Sequence, residues 1–187
     1  DLITGKVEED DVIGTWLTSH GVTGTDLQWF RDNAVTPDII GVNYYPHFTT
    51  IRLEDGVATP VKAGVAGLRD LIELYSERYA LPIVVTETSL VGTPDEKTEW
   101  LRESTSEIAT LRREGHPIVG YTWFPFFTMV DWLYRFDQKS PEEWFLEFGL
   151  VDLQRRGDQR LARVRNTTFD AFRTLAVGAA STTPTHG

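Results

Sequence analysis

The sequence predicts an α/β fold with parallel strands, and three observations carry that prediction. Continuous apolar runs rich in β-branched and aromatic residues stand at 38–45 (DIIGVNYY), 81–87 (LPIVVTE) and 117–124 (PIVGYTWF). Runs of this length suit strands buried on both faces. Segments with helical periodicity separate them, and a strand–helix–strand–helix–strand order means parallel strands joined by crossovers.

Two short helices are expected ahead of the first strand, at 11–20 and 25–33, with turn signals at Gly21 and Pro37. Between the first two strands, 65–80 places Val65, Leu68, Leu71, Ile72, Tyr75 and Tyr79 on one stripe. The next helix is marked at both ends. Thr93-Pro94-Asp95-Glu96 reads as a capping box with proline at the first helical position. The stripe runs through Trp100, Leu101, Ser104, Ile108 and Leu111, and Gly115 stops it. After the third strand comes a polar and aromatic stretch, 128–160, with a hairpin expected around 148–153 (FGLVDL) and a last helix at 168–177. Residues 178–187 have the composition of a disordered tail.

Three strands make a thin open sheet, whereas a closed (β/α)8 TIM barrel needs eight strands and about 250 residues. The pattern fits three units of such a barrel with two open edges. The expectation is therefore a partial barrel with a piece missing, forming one domain over 1–177.

Composition narrows the function. The 187 residues are 41% hydrophobic and 25% charged, an ordinary globular balance. Lys plus Arg number 18 against 28 Asp plus Glu, a net charge of -10 that disfavours nucleic acid and anionic membranes as partners. With no Cys, disulfides, thiolate metal sites and thiol nucleophiles are excluded. The four His show no metal-ligand spacing, so no metal or other cofactor is expected. The most apolar stretch, 118–133, carries Pro125 and Asp131 and is too short to span a bilayer. The first residues, DLITGKVEEDDV, do not read as a signal peptide, and a cytoplasmic location is expected.

Barrel enzymes place their chemistry at the C-terminal ends of strands. Those ends are Asn43, Tyr44 and Tyr45; Thr86 and Glu87; Trp123 and Phe124. Glu87 closes an apolar run, where an unpartnered carboxylate is costly. It reads either as a functional acid or as a rim residue paired with an arginine. Asn43 and Tyr45, two apart, share a strand face and offer donors suited to a carboxylate and to sugar hydroxyls; Tyr44 reads as packing. Trp123, Phe124, Phe126, Phe127 and Trp132 form an aromatic cluster that could stack on pyranose rings or simply pack a loop.

The runs DIIGVNYY, PIVVTE at 82–87, VGY at 119–121 with the aromatic run to Asp131-Trp132, and FGLVD at 148–152 together resemble family 1 of the glycoside hydrolases, the retaining β-glucosidase and β-galactosidase barrels. The resemblance covers roughly 1–175 and implies units five or six to eight of that barrel. It puts Glu87 at the nucleophile's position and Tyr45, with Asn43, where the family's tyrosine holds that nucleophile. Asp131 and Trp132 fall where the family has the Glu-Trp that grips sugar hydroxyls, and Phe124, beside Trp123, falls on its stacking tryptophan. Three departures bear on substrate preference and activity. Thr86-Glu87-Thr88-Ser89 replaces Thr-Glu-Asn-Gly, Asp131 replaces Glu, and Pro125-Phe-Phe-Thr-Met129 replaces a polar stretch.

The implied function is retaining β-glycoside hydrolysis on a carbohydrate substrate. That chemistry needs two carboxylates about 5–5.5 Å apart, and the family's Asn-Glu-Pro acid/base motif is absent from this sequence. The N-terminal half of the barrel, or self-association through the open sheet edges, is therefore expected as partner. The competing expectations are a non-catalytic sugar-binding or regulatory domain derived from a barrel, and a small open α/β domain.

Overall fold

The three apolar runs form one parallel sheet in the computed structural model, which describes residues 1–157 and 160–181. β1 (Ile40–Asn43), β4 (Ile83–Thr88) and β5 (Ile118–Trp123) lie in the order β1-β4-β5. α3 (Gly64–Tyr79) connects the first pair and α4 (Pro94–Arg113) the second. The chain divides into two compact units, Asp1–Ile39 and Ile40–Gly187.

The first unit holds α1 (Val12–Ser19) and α2 (Gly24–Asp32). Asp11 caps α1 by accepting the Gly14 N–H at 2.6 Å, and Thr23 and Asp26 form a reciprocal capping box on α2. Val7 and Leu27 are its buried apolar side chains.

In the second unit the expected stripes face the sheet. Leu68 and Ile72 of α3, and Trp100, Leu101, Ser104, Ile108 and Leu111 of α4, are buried against Val42, Ile83, Val85 and Ile118. Each apolar side chain buried this completely contributes about 1.5–3 kcal/mol. The Thr93–Glu96 capping box forms as the sequence predicts, and Gly115 ends α4 at φ +102°.

The end of the chain differs from expectation. α5 runs Thr167–Ser181, four residues past 177, while 182–187, the rest of the expected tail, lies outside the described residues. The expected hairpin at 148–153 is shifted: β8 (Val151–Arg156) pairs with β9 (Arg160–Arg165), so only its last three residues enter a strand. A further hairpin, β2 (Thr50–Glu54) with β3 (Val57–Val61), turns at Asp55 and Gly56, both at positive φ. The 128–160 stretch also holds two 3₁₀ turns, Trp132–Phe136 and Pro141–Trp144, and the short pair β6 (Met129–Val130) and β7 (Phe145–Leu146). Among the described residues, no helix is long and apolar enough to cross a membrane.

Candidate active site

Strict alternation along β4 would put Glu87 on the same face as Ile83 and Val85, both wholly buried against the helices. The register prevents this. Val42 pairs with Val85 and Asn43 with Glu87, so Thr86 is an extra residue, and the same irregularity appears against β5 between Val85 and Thr88. A bulge of one residue exchanges the faces beyond it. Thr88 therefore turns to the helices, fully buried, and its hydroxyl accepts the Trp100 indole N–H at 3.1 Å. Glu87 turns to the opposite face.

Past the end of β1 the two tyrosines separate in the same manner. Tyr44 packs into the core and donates its hydroxyl to the Gly64 carbonyl at 2.6 Å, while its N–H bonds the Glu87 carbonyl at 2.8 Å. Tyr45 comes out on the Glu87 side and donates its hydroxyl to Glu87 Oε2 at 2.8 Å. Its ring stacks on Phe48, with centroids 4.9 Å apart, and meets the edge of Phe148 at 5.8 Å. Burial first, and then the carboxylate it bonds, push the Tyr45 phenol well above its usual value. It stays protonated and remains a donor.

Glu87 and Tyr45 open into a groove of about 520 Å³. Its other walls are Phe48, Val91, Phe124, Pro125, Met129, Trp132, Leu146 and Phe148. Ser89, wholly buried, ties the end of β4 to this wall by donating to the Phe124 carbonyl at 2.5 Å. Thr88 and Ser89, the two departures from the family motif, are thus both held by structural hydrogen bonds.

Of the seven residues singled out in the sequence, four meet in the groove: Glu87, Tyr45, Phe124 and Trp132. The other three do not. Trp123 is 4% exposed and donates its indole N–H to the Phe148 carbonyl at 3.0 Å, so its ring belongs to the core. The Asp131 carboxylate caps the following 3₁₀ turn, accepting the Leu133 N–H at 2.8 Å. Asn43 lies beside Glu87 on the exposed face, where its Oδ1 accepts the Thr86 hydroxyl at 2.6 Å. Phe48, Val91, Pro125, Met129, Leu146 and Phe148 complete the groove and are not among the seven. Phe48 follows Tyr45 at a spacing that an extended strand would not bring back; a turn, with Tyr45 N–H on Thr49 Oγ1 at 2.7 Å, returns it.

The groove wall is anchored from behind. Lys97, 1% exposed, donates to the Gly149 carbonyl at 2.8 Å, and Asn166 donates to the same carbonyl at 3.0 Å and to Asp152 at 2.8 Å. Asn166-Thr-Thr168 has the form of an N-glycosylation acceptor sequence, but the amide nitrogen that would carry the glycan is engaged inside the fold by these two bonds. Burial holds the Lys97 ammonium below the usual lysine range, against the opposing pull of Asp152 and Glu147. A larger hollow, about 760 Å³ between α4 and α5, is lined by Leu101, Arg102, Thr105, Asp170, Thr174 and Leu175, and its Arg102 guanidinium is bonded to Glu99 on the same helix.

A metal centre gains little support. Glu73, Glu114 and His116 bring ligand atoms within 4.8 Å of one another. The Arg69 guanidinium already bonds Glu73 and Glu114 at 2.8 Å each, and a cation would have to displace it. His47 is exposed and lies away from the groove, beside Lys62 and Glu96.

Neither family models nor curated proteins match this sequence, so comparison rests on solved structures. The GH1 β-glucosidase of Exiguobacterium antarcticum B7 aligns over 98% of this chain and 44% of its own, at 14% identity and a TM-score of 0.68. A β-glucosidase from Exiguobacterium marinum aligns over 93% and 42%, at 17% identity and a TM-score of 0.64. An aphid myrosinase aligns over 94% and 42%, at 16% identity and a TM-score of 0.66. The chain spans less than half the length of these structures. At such identities the comparison establishes the fold: over at least 93% of its length, this chain is built like the C-terminal part of a family 1 β-glucosidase barrel.

Proposed function

We propose that this chain carries the nucleophile side of a retaining β-glycosidase active site. The observation that carries the reading is the 2.8 Å bond from Tyr45 to Glu87 Oε2, at a strand end that opens on an aromatic groove. Tyr45 occupies Oε2, which leaves Oε1 for attack on the anomeric carbon. The carbon–oxygen bond to the aglycone breaks as the bond to Glu87 forms, and water then releases the sugar. The first step needs a proton for the departing oxygen, from a second carboxyl about 5–5.5 Å away. Among the described residues, Glu87 is the one carboxylate in the groove wall. The reading therefore assigns the acid/base to further β/α units of the barrel, outside this chain. A cytoplasmic setting belongs to the same proposal, since a cysteine-free sequence fits a reducing compartment.

The test avoids the missing acid. In 2-deoxy-2-fluoro-β-D-glucosyl fluoride the leaving group is fluoride, which departs without a proton donor. Incubation of the full chain should label the peptide containing Glu87, as read by mass spectrometry. Glu87→Gln should abolish the label, and Tyr45→Phe should slow its formation by about tenfold or more, the scale of one positioned donor. A folded chain that takes up no label, or takes it elsewhere, overturns the reading.

A second reading, a sugar-binding or regulatory domain without turnover, is favoured by one observation: Asp131 caps a turn rather than facing the groove. Saturable sugar binding by the full chain, without any label, would favour it.

A further inference from the structure

We propose that the β2–β3 hairpin is a pairing edge for a second copy of this chain, joined antiparallel through β2 across a two-fold axis at Leu53. This interface uses no part of the Glu87 site.

Every residue from 51 to 60 is exposed, so the hairpin projects from the unit that carries it. A two-stranded hairpin alone in water is marginally stable, and further strands stabilise it. Its faces differ. Ile51 pairs with Pro60 and Leu53 with Ala58, which makes one face wholly apolar, with Leu53 74% exposed. Arg52 and Glu54 share the other face, with Arg52 Nε 3.7 Å from Glu54 Oε1.

Its edges differ as well. Glu54 and Val57 close a two-residue turn and form a hydrogen-bonded pair, so alternation makes Leu53–Ala58 and Ile51–Pro60 the non-bonded pairs. The backbone groups that point outward are then those of Ile51 and Leu53 on β2, and of Ala58 and Pro60 on β3. Pro60 has no N–H, which blunts the β3 edge. β2 contains no proline and, among the described residues, no second strand partner. Charge selects the register along it. An axis at Leu53 sets the two Leu53 residues against each other and puts each Arg52 opposite Glu54 of the other copy. An axis at Arg52 would oppose the two arginines, and one at Ile51 would leave both charges unmatched. Each opposite-charge pair facing across strands favours association about 1.4- to 5-fold, like charges disfavour it, and the two-fold axis counts each pair twice.

The chain has no cysteine, so single introduced cysteines report the register by disulfide capture. All the positions used are exposed and leave the core untouched. In a glutathione redox buffer the full chain bearing Leu53→Cys should form covalent dimers, because a hydrogen-bonded antiparallel pair holds its Cα atoms about 5.5 Å apart, within disulfide reach. Arg52→Cys, Glu54→Cys and Ala58→Cys, each alone, should link at least tenfold more slowly, whereas mixed Arg52→Cys and Glu54→Cys chains should link to each other. Within the Leu53→Cys chain, Arg52→Glu should slow capture about fivefold or more, and the double exchange with Glu54→Arg should restore it. Glu54→Arg alone should also slow capture, although it lowers the net negative charge that keeps copies apart. Association through the β1 and β5 edges would not discriminate among these positions. No covalent dimer from Leu53→Cys overturns the proposal, as does faster capture with Glu54→Arg. Capture at Ala58→Cys as fast as at Leu53→Cys also overturns it, since that pattern belongs to stacked apolar faces or to random collision.

Discussion

Lys97 shows how one buried charge can hold a groove wall from behind. Its Nζ, with Asn166 Nδ2, fixes the Gly149 carbonyl, and the neighbouring Phe148 ring packs on Tyr45, which in turn holds Glu87. The depressed pKa of Lys97 has a consequence for stability. The native chain binds fewer protons at this site than the unfolded chain, so unfolding takes up protons between the lowered native value and the ordinary 10.5. The penalty for burying the charge is complete below the native value and is relieved as the pH rises toward 10.5. Lys97→Met removes the charge at similar volume, and Asn166 still bonds both Gly149 and Asp152. Urea unfolding at pH 7 and pH 10 should show the natural chain gaining stability relative to Lys97→Met as the pH rises. A difference that stays flat or shrinks would mean that the ammonium is not desolvated. None of this was legible in the sequence, where Lys97 sits in a stretch of helix-starting charges, and its burial depends on a loop 52 residues away.

At the scale of elements, the sequence was most readable where local chemistry and long-range packing agree. α4 combines a capping box, a clean stripe and a glycine stop, and all three reappear. The β2–β3 hairpin had an equally local signal, Asp55-Gly56 between β-rich segments, since two positive φ values suit a two-residue turn. The bulge at Thr86 had none, because nothing in PIVVTETS marks which residue will be skipped. The bulge nonetheless decides the site, since without it Glu87 would face the helices. The shifted β8–β9 hairpin has a comparable cause. Residues 148–150 do not continue β8; they form an irregular segment running against Phe126 and Phe127, with Leu150 N–H on the Phe126 carbonyl at 3.0 Å. Gly149 makes that approach possible, for a Cβ there would stand 2.3 Å from the Phe127 carbonyl carbon. Gly149→Ala should therefore cost about 2–3 kcal/mol, seen as a fall in Tm of roughly 5–10 °C by circular dichroism. An unchanged Tm would show that the segment is free to move away from Phe127.

At the scale of the whole molecule, the open sheet is the dominant fact. In the order β1-β4-β5 the two outer strands have no further strand partner among the described residues. The face opposite the helices carries exposed Gly41, Thr86 and Thr122, and Val119, the extra residue of β5 against β4, is 60% exposed. Short apolar parallel strands with free edges are templates for pairing with another chain. Opposing this is the net charge of -10, which repels copies over about 10 Å at 0.1 M salt and over less as salt rises. The two terms predict a definite pattern. In sedimentation, the weight-average mass of the full chain should grow with concentration, and more strongly in 0.5 M than in 0.05 M sodium chloride, because salt screens repulsion and leaves edge pairing intact. Val119 lies on the outer strand at the rim of a hollow lined by Ile108 and Phe172, and Val119→Lys, which places a charge at this exposed position, should shift the distribution back toward monomer at both salts. Added β/α units that complete the barrel would compete for the same edges and have the same effect. A chain that stays monomeric at every concentration and salt would show that these edges are protected by their shortness alone, and a partner for them would then have to be sought through the groove rather than the sheet.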